Sequence, residues 1–85
     1  MQIWKSKLDL TDVQLVTLPH GARPVHFGPD PNGALCVWCE VEPMHTTKNF
    51  GFVVVGTGHD IPAGFQYVGS AVNLPFVWHC YYNVT

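Results

Sequence analysis

Apolar and polar residues alternate with a period of two along most of this chain, and glycine or proline interrupts the alternation at short intervals. That punctuation predicts short strands rather than helices. Residues 2–8 place Trp4, Ser6 and Leu8 on one face and Ile3, Lys5 and Lys7 on the other, the pattern of an edge strand with its lysines turned to water. A second run covers residues 13–18. Leu18-Pro19-His20-Gly21 then reads as a turn, because Pro19 presets φ and Gly21 is free to take a positive one. Residues 23–27 and 34–42 flank Gly28-Pro29-Asp30-Pro31-Asn32-Gly33, whose Asn-Gly pair is the strongest hairpin signal in the chain. In the second arm Leu35, Val37, Cys39 and Val41 share the face expected to meet a core. Residues 50–55 are almost continuously apolar, as in a central strand covered on both sides. A short run at 66–68 and a longer one at 75–82 complete the series. In the last of these Phe76, Trp78, Cys80 and Tyr82 point one way and Val77, His79 and Tyr81 the other.

No segment repeats apolar residues at spacings of three and four over a dozen positions, so at most one short helical turn is expected, at residues 61–65. The fold class is therefore all-β: a small antiparallel sheet or open barrel of about six short strands, forming a single domain over residues 1–85.

Composition changes the picture in one respect. Charged residues are 12% of the chain, about half of the roughly 25% usual in soluble domains, while 47% of residues are hydrophobic and 13% aromatic. A domain of 85 residues hides only part of its surface. With so few ions, apolar area is left outside, which favours self-association into a homo-oligomer or a ligand-binding seam. The basic residues Lys5, Lys7, Arg23 and Lys48 are scattered and the net charge is −2, so duplex nucleic acid is not an expected partner. No run approaches eighteen apolar residues and the first residues carry no signal-like apolar stretch, so no membrane partner is expected and the expected location is the cytoplasm.

The best candidate for function is the corner Gly56-Thr57-Gly58-His59-Asp60, where two glycines let backbone N–H groups approach an anion and Thr57 and His59 add side-chain donors. It is not a nucleotide fingerprint: Ile61 stands where a dinucleotide motif needs glycine, and a phosphate loop's lysine is missing. Read without a ligand, the same residues are a glycine turn leaving a strand, with Asp60 capping the next segment. Cys36 and Cys39 have a zinc-knuckle gap, with His79 and Cys80 as further ligands. Within a strand, however, positions 36 and 39 point to opposite faces, so reduced, buried cysteines are expected and neither metal nor cofactor. Five histidines, His20, His26, His45, His59 and His79, offer acid–base groups, yet no partner that would set tautomer or basicity stands out beyond Asp60 beside His59. No catalytic residue is assigned on that basis. Eleven aromatic residues exceed what so small a core can hide; Trp78 and His79, with Trp4 on the edge strand, are the ones expected to line a contact surface or stack on a flat ring.

Val55-Gly56-Thr57-Gly58-His59 followed by Ile61, the step Tyr67-Val68-Gly69, the ending Phe76-Val77-Trp78-His79, and the segments Ile3-Trp4-Lys5 and Leu35-Cys36-Val37-Trp38 together resemble a family of short phage-encoded proteins that carry an uncharacterised domain. The chain departs from that pattern at Asp60, where a proline is expected, and in Tyr81-Tyr82-Asn83. More loosely it is similar to viral sponge proteins that sequester host immune signals of the cyclic nucleotide or cyclic ADP-ribose type. That likeness implies a small homo-oligomer with pockets between its subunits, and the residues expected to bind a nucleotide-like small molecule there are the loop and aromatic candidates Gly56, Thr57, Gly58, His59, Trp78, His79 and Trp4. Phosphates would then meet loop amides, the base would meet aromatic faces, and ribose would meet histidine or threonine. Two alternatives remain open: a protein–protein inhibitor of a host factor, and a phosphodiesterase that cleaves such a signal.

Overall fold

The computed structural model describes residues 1–84. Seven strands occur in order: β1 (Gln2–Lys7), β2 (Gln14–Pro19), β3 (Arg23–Pro29), β4 (Leu35–Val41), β5 (Thr47–Gly56), β6 (Gln66–Asn73) and β7 (Phe76–Val84). Among the described residues there is no helix, and residues 61–65 make only a turn at Ala63 and Gly64. The strands form two antiparallel sheets, β1-β4-β3 and β2-β5-β7-β6, which stay open rather than closing into a barrel. No helix among the described residues is long and apolar enough to cross a membrane.

The alternation read along the chain explains why the two sheets meet as they do. Val37, Cys39 and Val41 of β4 face Phe50, Phe52 and Val54 of β5 and Cys80 of β7 in one shared core, closed by Leu8, Leu18 and Phe27. β4 is the central strand of the first sheet and β5 and β7 are the inner strands of the second; β4 is buried along most of its length and β5 from Phe50 to Val54. β1 lies at an edge with Lys5 and Lys7 exposed, as its pattern requires. The Asn-Gly segment does connect the paired strands β3 and β4. Gly33 takes φ +85°, and Asp30 braces the loop by accepting hydrogen bonds from the amides of Asn32 and Ala34 at 2.9 and 3.0 Å.

The edges β3 and β6 lie against each other where the two sheets meet. Each is irregular there: the β3–β4 register shifts between Pro24 and His26, and the β6–β7 register between Tyr67 and Gly69. Bulges bend strands and raise their twist, which suits a corner. Gly69 sits close to Phe27, whose Cβ would stand 3.7 Å from any Cβ placed on the glycine.

The three cysteines are free and buried. Cys36 pairs in register with Lys7 and Cys39 with Trp4, so they occupy opposite faces of β4 and their sulfurs do not converge. Burial pushes the Cys39 thiol up to about 11 and the Cys80 thiol up to about 12, the second with a contribution from Cys39 across the core. Such thiols are inert as nucleophiles at neutral pH.

Candidate functional site

β5 ends in a tight turn over Gly56-Thr57-Gly58-His59. The His59 amide donates to the Gly56 carbonyl at 3.1 Å, and Gly58 takes φ +92° while Thr57 does not have a positive φ. That is the signature of a turn that needs glycine at its third position. The turn folds the His59 ring back over Gly56. A Cβ on Gly56 would stand 3.4 Å from His59 Nδ1 and 3.4 Å from Trp78 Cζ3, so the missing side chain is what lets imidazole and indole approach the backbone together.

Two clefts share this turn as a wall. The larger, of about 720 Å³, runs along β5 from Val53 to Gly56, bounded by Leu10 to Val13 on one side, by His59, Asp60 and Pro62 on the other, and by Trp78. It exists because β2 stops pairing at Gln14 opposite Phe52, so residues 53–56 have β7 on one side and, among the described residues, no strand on the other. The smaller cleft, of about 480 Å³, is bounded by Gly56, Thr57, His59 and Trp78 with Pro75, Phe76 and Val77 from the β6–β7 hairpin. Charge separates the two. Asp12 and Asp60 border the larger, and no acid borders the smaller. Lys and Arg border neither: Lys5 is paired with Asp30 at 3.1 Å and Arg23 with Glu40.

On the opposite face of the same sheet, His79 is held at both ring nitrogens. Its Nε2 lies 2.8 Å from Thr57 Oγ1, and its Nδ1 lies 2.6 Å from Ser70 Oγ, which in turn lies 2.7 Å from Tyr67 Oη. Register explains the chain of contacts: Val55 pairs with His79 and Ser70 pairs with His79 across the other side, so turn, central strand and edge strand meet at one imidazole.

Of the residues singled out in the sequence, Gly56, Thr57, His59 and Trp78 come together around the clefts. Gly58 is exposed at the turn's apex and shapes it without lining either cleft. His79 joins them through Thr57 but from the face opposite Trp78. Trp4 stands apart on the other sheet, its indole N–H donating to Gln2 Oε1 at 2.9 Å. Ser70 and the role of Tyr67 are not legible in the sequence, because the bulge at Val68 hides the register that sets Ser70 against His79.

A family model described as Domain of unknown function (DUF7352) matches residues 1–85. No curated protein and no solved structure matches the chain.

Proposed function

We propose, from the premise that the chain belongs to the DUF7352 family over residues 1–85, that it is a small self-associating binding protein that holds a nucleotide-derived signal of the cyclic nucleotide or cyclic ADP-ribose type. The carrying observation is the single glycine turn that walls two clefts at once, with Trp78 bordering both. A ligand with two chemically different ends fits that division. Its anionic end belongs in the acid-free cleft, near the Thr57 hydroxyl, His59 and the turn's amides. Its hydroxyl or amino donors belong in the larger cleft, where the Asp12 and Asp60 carboxylates accept hydrogen bonds. The indole of Trp78 offers a flat apolar surface between them. The sequestering role comes from the resemblance to phage proteins and sponges; the binding role comes from the geometry.

A thermal-shift series with cyclic dinucleotides and cyclic ADP-ribose isomers tests this. A ligand at a hundred times its Kd stabilises the native state by about 2.7 kcal/mol and raises the melting temperature accordingly. Gly58→Val forces a β-branched side chain into a positive φ, at a cost of about 1–2 kcal/mol, with open space around the new Cβ. The variant is expected to fold and to lose the shift. Retention of the shift in Gly58→Val removes the turn from the site, and no shift with any of these ligands removes the nucleotide reading.

One observation favours a second reading. The unpaired edge of β5 at residues 53–56 is suited to accept a strand from another protein, as an inhibitor of a host factor would require. A protein that binds a partner while Val54→Pro does not, with no nucleotide shift in either, selects that reading.

A further inference from the structure

We propose that Thr57 and His79 form a nucleophile–base pair that hydrolyses small carboxylic esters at the mouth of the acid-free cleft, with Ser70 positioning the imidazole. This goes beyond the binding role and does not depend on a nucleotide. Covalent catalysis by a hydroxyl needs a base within about 2.6–3.2 Å and a third group that orients the base. Thr57 Oγ1 lies 2.8 Å from His79 Nε2, and Ser70 Oγ lies 2.6 Å from the other ring nitrogen. With the ring protonated at Nδ1, His79 donates to Ser70, Ser70 donates to Tyr67 Oη at 2.7 Å, and Nε2 is left to accept from the Thr57 hydroxyl. Thr57, Ser70 and Tyr67 are exposed, so water would satisfy them without any such chain.

The remaining parts of a reaction site are at the same turn. The turn's internal hydrogen bond uses the His59 amide, so an oxygen that gains negative charge beside Thr57 would have to be met by the Gly58 N–H, directly after Thr57 in the chain and exposed at the turn's apex. Thr57 also borders the cleft of about 480 Å³ whose other walls include Pro75, Phe76, Val77 and Trp78, an apolar receptacle for an aryl or alkyl portion. In the first step Thr57 Oγ bonds to the ester carbonyl carbon and its proton passes to His79 Nε2. The carbon–alkoxy bond then breaks and the alcohol leaves with that proton. In the second step a water molecule, deprotonated by His79, attacks the acyl-Thr57 ester, and the proton returns to Thr57 as the acid departs. The sum is ester plus water giving acid plus alcohol.

The probe is p-nitrophenyl acetate on the whole chain, read by nitrophenol release and by mass spectrometry of peptides after quenching. The expected result is saturable turnover with an acetyl group on Thr57. Thr57→Val and His79→Ala should each lower the rate by about 100-fold or more, the usual worth of general-base catalysis, and Thr57→Ser should keep it. Ser70→Ala should lower kcat with KM unchanged, and Ser70→Thr should restore it. His20→Ala, an exposed imidazole outside the cluster, measures what a solvated histidine contributes and should leave the rate unchanged. Circular dichroism confirms that each variant is folded. Turnover no faster than that of an equal concentration of free imidazole, a Thr57→Val protein with the parental rate, or acetyl groups only on other residues overturns the proposal.

Discussion

Gly51 shows how tightly a single position is fixed on the outer face of the larger sheet. It pairs with Asn83, and a Cβ placed on it would lie 2.5 Å from Asn83 Oδ1 and 3.4 Å from Val13 Cγ1. That oxygen is itself buried without a hydrogen-bond partner among the described residues, so its position is set by packing against the glycine. Gly51→Ala is expected to destabilise by about 1–3 kcal/mol, the range for overpacking a filled site. The same change in an Asn83→Ala background should cost much less, because the oxygen it strikes is gone. Urea midpoints of the four proteins form the double-mutant cycle that checks this. Additive costs would place the strain at Val13 instead. The glycine carries no signal of its own in the sequence, since its neighbours Phe50 and Phe52 already mark a central strand; only the register with Asn83 reveals why nothing larger stands there.

The β3–β4 hairpin is the element most plainly written in the chain, and its chemistry extends beyond the Asn-Gly pair. Asp30 accepts from two loop amides through Oδ1 and from Lys5 of β1 through Oδ2 at 3.1 Å, which ties the loop to the edge strand. Its side chain is 8% accessible. The Lys5 hydrogen bond, with smaller contributions from those of Ala34 and Asn32, holds the carboxyl below its ordinary value against the opposing effect of burial. A carboxyl whose native pKa is depressed stabilises the fold above its unfolded pKa of about 3.9 and loses that contribution as pH falls through the lower native value. Asp30→Asn should therefore be less stable than the parent at pH 6, with the gap closing toward pH 2; parallel urea curves at both pH values check it. A gap independent of pH would mean that the amide replaces only shape. The edge character of β1, the buried run in β5 and the alternate faces of β7 were equally readable, because each is a local periodicity. β6 was not. The apolar run stops at Val68 in the sequence, but that residue is the bulge, and the strand continues through Gly69 and Ser70 to Asn73. With it were hidden the contact of Ser70 with His79 and the division into two sheets, since both depend on pairing between distant segments. The cleft along residues 53–56 likewise arises from where β2 stops, which no local pattern encodes.

At the scale of the whole molecule, the force left unbalanced is the apolar surface that ten ionic side chains cannot cover. Its densest part is the β6–β7 hairpin end, where Val72 is 65% exposed, Leu74 87% and Phe76 56%, beside Val77. Phe76 and Val77 also border the acid-free cleft, so a second copy seated on this hairpin would cover one side of the proposed ligand site. Burying these side chains is worth about 25 cal/mol per Å² of apolar area before association costs. Contiguous exposed surface of this kind marks contact sites. The expected outcome is a concentration-dependent homo-oligomer by sedimentation velocity, with Leu74→Asp dissociating it by placing a charge in the seam while leaving the melting temperature of the single chain nearly unchanged. If the site spans two copies, the nucleotide thermal shift disappears with the association in that variant, since each event stabilises the other. A Leu74→Asp monomer that keeps the full shift would confine the ligand to one chain's turn and clefts. A parent protein that stays monomeric at high concentration would leave the hairpin's apolar end to a different partner.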